Sequence, residues 1–182
     1  MASEAEAEGT GRSRAARDGT ATTGVGHDAR RRSTSGARRD RASDARARSR
    51  RAGRRLALVS VFEAEFGQRT AEAVLERHLA LEGDEGAASL AREIVANVRA
   101  NRDAIDARIG ELAPQYPVVG LARMDRALLR CGLCEVLHSP ATPARVAIAE
   151  WVELARTYSG EPMRRLMNGV LGRVARDLDA TR

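Results

Sequence analysis

The chain has 182 residues, and all 31 of its basic side chains are Arg, set against 25 Asp and Glu for a net charge of +6. That length admits one domain with an extension. No stretch is long and apolar enough for a secretory h-region or a membrane span, so a soluble, cytoplasmic protein is expected. The charge is uneven: residues 1–55 carry 15 Arg and 7 acids, while residues 56–182 carry 16 Arg and 18 acids. A basic N-terminal third ahead of a near-neutral remainder points to a polyanionic partner, nucleic acid before others.

Residues 1–49 contain no Leu, Ile, Phe, Trp or Tyr. Such a segment cannot bury enough surface to offset the cost of ordering it, and it is expected to be a disordered, Arg-rich tail. Its Arg, Ser and Ala content is that of a transit peptide, but Glu4, Glu6, Glu8, Asp18, Asp28, Asp40 and Asp44 interrupt it and no apolar face exists. Residues 50–182 have the size of a single domain. Apolar spacing there is helical throughout, which predicts an all-α fold. Leu58, Val61 and Phe62 line a first helix starting near Arg50. Val74, Leu75, His78 and Leu79 line a second. Leu90, Ile94, Val98, Ile105, Ile109 and Leu112 predict one long third helix over 88–112, ended by Pro114 and Pro117. Met124, Leu128, Cys131 and Val136 face inward from a fourth over 120–138. Thr142 is the expected N-cap of the next, with Pro143 in its first turn, and Ala147, Ile148, Trp151, Leu154, Ala155 and Tyr158 form its buried face. Pro162 opens the last helix, whose stripe is Met163, Leu166, Met167, Val170, Leu171, Val174 and Leu178. Gly169 inside that stripe lowers helix stability by about 1 kcal/mol relative to Ala, which a close helix approach would explain.

Chemistry-bearing motifs are few. The pair Cys131–Cys134 sits within an apolar helix, without the strand–helix context of a redox motif. His138 alone lies near it, which is too few ligands for a structural zinc site; the thiols are expected to act as small buried side chains. His78 reads as a boundary residue, and there is no phosphate-binding loop or dinucleotide fingerprint. No catalytic, cofactor or metal residues are predicted, and the chain is not expected to be an enzyme. Arg50, Arg51, Arg54 and Arg55 remain. At 100° per residue, Arg51, Arg55, Leu58 and Phe62 fall along one lane, basic at its start and apolar further on. Cations at a helix N-terminus oppose the dipole, so their placement points to a binding role.

Four segments in order resemble the NusB family of transcription antitermination factors: Arg50–Phe62 (RRAGRRLALVSVF), Met124–Leu137 (MDRALLRCGLCEVL), Thr142–Tyr158 (TPARVAIAEWVELARTY) and Asn168–Arg176 (NGVLGRVAR). The resemblance covers about residues 50–178. It implies a compact helical domain of two small bundles. It also implies binding to boxA RNA of ribosomal RNA transcripts together with the ribosomal protein NusE, and assembly with other Nus factors on RNA polymerase. The family's RNA-contacting positions fall on Arg50, Arg51 and Arg54, beside Arg55, and its aromatic position on Phe62. Pro162, Met163 and Leu166 fall where partner contact is expected. The chain departs from the family pattern at Cys134 (Tyr), Ala149 (Asn), Trp151 (Ala), Met163 (Ser), Leu166 (Phe) and Gly172 (Asp). The enlargement at Trp151 predicts a small residue opposite, Gly132 or Gly169. A relative of the helical domain of a ribosomal RNA cytosine methyltransferase and a protein-only scaffold are the alternative readings. On the methyltransferase reading, with no α/β domain or nucleotide motif in this sequence, the chain is expected to be a stand-alone or truncated relative.

Overall fold

A computed structural model describes residues 25–81 and 83–180, with side chains from residue 38 onward. The chain divides into two units, residues 1–41 and 42–182. Every described element is a helix: α1 (Val25–Ala64), α2 (Ala71–Leu79), α3 (Glu85–Ala100), α4 (Arg102–Leu112), a 3-10 turn at Val118–Gly120, α5 (Arg123–His138), α6 (Ala144–Ser159) and α7 (Glu161–Ala180). The boundary expected at residue 50 therefore lies inside α1 rather than at a helix start. Side chains 38–48 are all exposed, in keeping with a stretch that has no apolar face. Residues 1–24 of the expected disordered segment lie outside the described residues.

The second unit is organised by α5. All ten residues from Ala127 to Val136 are buried, the signature of a helix enclosed on every side. α6 and α7 pack on it and on each other, while α3 and α4 pack on it from the other bundle, with α2 against α3. α1 crosses α3 closely: a methyl group on Gly53 would sit 2.7 Å from the backbone oxygen of Ala87 and 3.1 Å from Leu90 Cβ. Leu58, Ile94, Leu128, Leu133, Trp151, Met167 and Leu171 are among the fully buried side chains of the shared core, each contributing about 1.5–3 kcal/mol by removal from water.

An enclosed helix carrying ionisable residues must pair them, because an unpaired buried charge is strongly unfavourable. The enclosed stretch of α5 carries two charged residues, Arg130 and Glu135, and both are paired. Arg130 is buried and donates from Nε and Nη2 to the two Asp106 oxygens at 2.7 Å each. It also bonds Glu65, which Arg126 approaches from Nε at 2.8 Å. Glu135, the second, faces α1 and is described below.

The long helix expected over 88–112 is two helices. Asn101 breaks it at φ −118°, ψ 17°, and its side-chain amide donates to the Asn97 carbonyl at 2.9 Å. Asn competes with the helical ladder in this way, and the break leaves the seven-residue step from Val98 to Ile105 intact, so the apolar pattern reads through it. Thr142 does not cap α6. Pro143 occupies the N-cap, and its carbonyl accepts from Val146 at 2.9 Å. Gly160, at φ 87°, makes the left-handed turn between α6 and α7. A methyl group added at Gly169 would meet no neighbouring atom within 4 Å, so close approach does not explain that glycine. Gly132 is the small residue opposite Trp151, whose Cγ would lie 3.3 Å from an added methyl group.

Candidate nucleic-acid interface

The arginines of α1 meet α5 and α6 through two carboxylates. Glu135 is fully buried and accepts from Arg54 Nε at 2.8 Å and Arg54 Nη2 at 2.7 Å, a two-pronged pair. The Trp151 indole donates to the same carboxylate at 2.7 Å, and Arg50 Nη2 stands 3.7 Å from it. Arg50 also donates to the Thr142 hydroxyl. That bond ties α1 to the α5–α6 connection, where Thr142 is buried.

Glu150 holds the neighbouring lane. Arg51 Nε lies 2.9 and 3.0 Å from its two oxygens, and Arg54 Nη1 lies 4.0 Å from it. Arg51 is 63% exposed while Glu150 is only 20% exposed. Arg55 is exposed and makes no hydrogen bond or ion pair among the described residues. It stands between two shallow grooves, one shared with Arg51 and α6 and one running past Leu56 to His78 and Tyr158.

The five residues predicted to contact RNA thus separate. Arg51 and Arg55 present guanidinium groups to solvent, and Arg50 does so in part. Arg54 does not: it is 1% exposed and committed to Glu135, so the reading of Arg54 as a phosphate contact is corrected to that of a buried anchor. Phe62 is half-buried against the core, its ring edge-on to Phe66 at 5.4 Å. Phe66 is the more exposed aromatic and lies under the Arg123 guanidinium at 4.6 Å. It falls four residues beyond Phe62, just past the end of α1, where a helical lane drawn from the arginines no longer reaches.

Of the residues predicted for partner contact, Pro162 is exposed and Leu166 half-buried, and both line a groove of about 520 Å³ between α7 and the segment from Leu112 to Tyr116. Met163 is buried in the core and unavailable to a partner. Cys131 and Cys134 are buried free thiols. Burial pushes Cys134 up to about 12 and Cys131 well above its usual value, with Glu135 adding to both shifts. His78 bonds Glu63 at 2.9 Å at the edge of α2.

Comparison with known proteins places this arrangement. A family model described as the NusB family matches residues 51–176. A transcription antitermination protein NusB from Heliobacterium modesticaldum is 38% identical over 135 residues, covering 74% of this chain and 66% of the relative. One from Dehalococcoides mccartyi is 36% identical over 135 residues, covering 73% of this chain and 94% of the relative. A structure of T. maritima NusB superposes with a TM-score of 0.65 at 30% identity, over 70% of this chain and 90% of that one. A structure of antitermination factors NusB and NusE in complex with dsRNA shares the fold, with a TM-score of 0.62 at 20% identity over 71% of this chain and 98% of that one. The matched span begins at Arg51, takes in the Arg54–Glu135 anchor and ends within α7. The helices that build the basic face are therefore the matched helices, and the chain belongs to the NusB family.

Proposed function

We propose that this protein is a transcription antitermination factor that binds boxA-type RNA of ribosomal RNA transcripts jointly with the ribosomal protein NusE, on elongating RNA polymerase, in the cytoplasm and without enzymatic activity of its own. The observation that carries this reading is the family match across residues 51–176, within which Arg51 is exposed beside Arg55 on one edge of α1. Guanidinium groups fork onto phosphates and stack on unpaired bases. Arg50, Arg51 and Arg55 supply the phosphate contacts, with Arg54 fixing the helix that carries them. The groove at Pro162 and Leu166 is the proposed partner surface; Phe66 and Arg123 offer a stacking position beyond the C-terminal end of α1. Few protein-borne phosphate contacts mean modest affinity for RNA alone, and a joint surface with the partner adds contacts and specificity.

A titration of boxA RNA and of a scrambled RNA, with and without NusE and at two salt concentrations, tests the reading. Tight binding of boxA over scrambled RNA in the presence of NusE is expected. An Arg51/Arg55→Ala variant should lose affinity and flatten the salt dependence by about 0.7 per phosphate contact removed on a single strand. Equal affinity for both RNAs in the presence of NusE overturns the proposal.

A further inference from the structure

The basic edge of α1 is not purely basic. The groove beside it is lined by Arg51, Arg55, Ala149, Glu150, Glu153 and Leu154, two cations facing two carboxylates. Glu153 is partnered on its own helix, accepting from Arg156 Nε at 3.0 Å. Glu150 is different: its partners lie on α1. Both of its oxygens are within 3.0 Å of Arg51 Nε, and Arg54 Nη1 closes from the buried side at 4.0 Å. The carboxylate sits where Arg51 would take a phosphate oxygen. Among the described residues, the Nη groups of Arg51 make no hydrogen bond, so the guanidinium is only half used.

We infer that Glu150 is an affinity-setting residue for nucleic acid: its carboxylate stands in for phosphate on Arg51 and holds the chain's intrinsic affinity for RNA low, so that tight binding requires a partner's added contacts. This rests on the reading of the α1 edge as the RNA surface. Two effects of Glu150 oppose each other. It orients Arg51, which favours binding, and it repels an incoming phosphate, which disfavours it. An exposed ion pair fixes a side chain only weakly. A phosphate held by Arg51 would lie within a few ångströms of the carboxylate, well inside the screening length of about 8–10 Å at physiological salt. Repulsion is therefore the larger effect. Because it acts on backbone charge, it applies to any RNA sequence alike.

Glu150→Gln removes the charge and keeps an amide oxygen that Arg51 can still bond, so orientation is retained. The full chain, without NusE, is titrated by fluorescence anisotropy against boxA RNA and a scrambled RNA of equal length at about 50 and 200 mM salt. E150Q is expected to bind both RNAs about tenfold more tightly at the lower salt, with the gain shrinking at the higher. Glu111→Gln, which changes net charge equally at an exposed carboxylate paired with Arg108, and Glu150→Asp, which keeps the charge, are expected to bind within about twofold of wild type. Unchanged or weaker binding by E150Q overturns the inference, as does an equal gain in E111Q. Failure of wild type to prefer boxA in the presence of NusE refutes the proposed function instead, and leaves the E150Q comparison readable on scrambled RNA.

Discussion

Arg54 gives the sharpest test of which arginines of α1 hold the fold and which are free for the proposed RNA contact. Replacing it with Met preserves most of the buried stem and removes the guanidinium. Glu135 is then left fully buried, with the Trp151 indole at 2.7 Å and Arg50 no nearer than 3.7 Å. Two charge-assisted hydrogen bonds, at 2.8 and 2.7 Å, are lost. Removing one member of a buried pair destabilises by about 3–5 kcal/mol, mostly because the remaining charge is uncompensated. Arg50 can relax toward the carboxylate, which places the expected loss at the lower end, about 3 kcal/mol. For a folded body of this size, each kcal/mol shifts the thermal midpoint by about 2–4 °C, giving a fall of about 6–12 °C. Urea unfolding followed by far-UV circular dichroism measures the change directly. A second variant, Arg54→Met with Glu135→Leu, removes both charges and should recover part of the loss; the Trp151 N–H, left without its acceptor, limits the recovery by about 1–3 kcal/mol. If Arg54→Met stayed within about 1 kcal/mol of wild type and yet lost RNA affinity, Arg54 would be a phosphate contact after all and the anchor assignment would fail.

The thiols make a chemical prediction: with Cys134 raised to about 12 and Cys131 well above 9.0, native protein at pH 8 should resist alkylation until unfolded by urea, and rapid native labelling would contradict their burial. Because these folded values lie above the unfolded one, the contribution of the thiols to stability is whole below pH 9.0 and is lost as pH rises toward about 12, so the urea midpoint should decline across that alkaline range. The glycines within α5 and α7 should respond in opposite directions. Gly132→Ala meets Met167 Cε at 2.7 Å and Trp151 Cγ at 3.3 Å and should lose about 1–3 kcal/mol, whereas Gly169→Ala enters open space and should gain up to about 1 kcal/mol from helix propensity; calorimetric midpoints moving the same way would refute the packing argument.

Much of the fold is legible in the sequence because α2, α3, α6 and α7 are amphipathic, with one apolar face each. α3 and α7 bury the residues their spacing selects, from Leu90, Ile94 and Val98 to Met163, Met167, Val170 and Val174. The differences fall where a local polar group decides the backbone and periodicity is blind to it. Asn101 breaks α3 from α4 without disturbing the apolar phase. Thr142 is a cap by residue type, but its hydroxyl serves Arg50, 92 residues away in sequence. The spacing along α5 selects one inward face, yet the helix is enclosed all round, because Arg130 and Glu135 look like solvated residues until their partners on α1 and α4 are known.

The same limit explains why the arginine cluster is legible as a cluster and not residue by residue. Centring the buried arc of α1 on its large side chains, Leu58 and Phe62, places Arg51 and Arg55 on the lane that enters the core. The structure centres that arc instead between Ala57 and Val61, with Gly53, Ser60 and Leu58 also buried and Phe62 only half-buried. At about 100° per residue, the shift turns Arg54 inward and leaves Arg51 and Arg55 at the solvent edge. The signal is present in small residues: Gly53, Ala57 and Ser60 recur at helical spacing, and small side chains mark the face where another backbone comes close. Gly53, where an added methyl group would stand 2.7 Å from the Ala87 oxygen, is that point of approach. Once α3 fixes the rotation of α1, Arg54 has no route to solvent and must find a carboxylate inside the protein, which Glu135 supplies. Arg51, about 60° away around the helix, meets Glu150 at the surface, where the same kind of pair can open. The helix thus carries one arginine pair that holds the fold and, less than one turn away, a second at the surface, the one proposed to open for RNA.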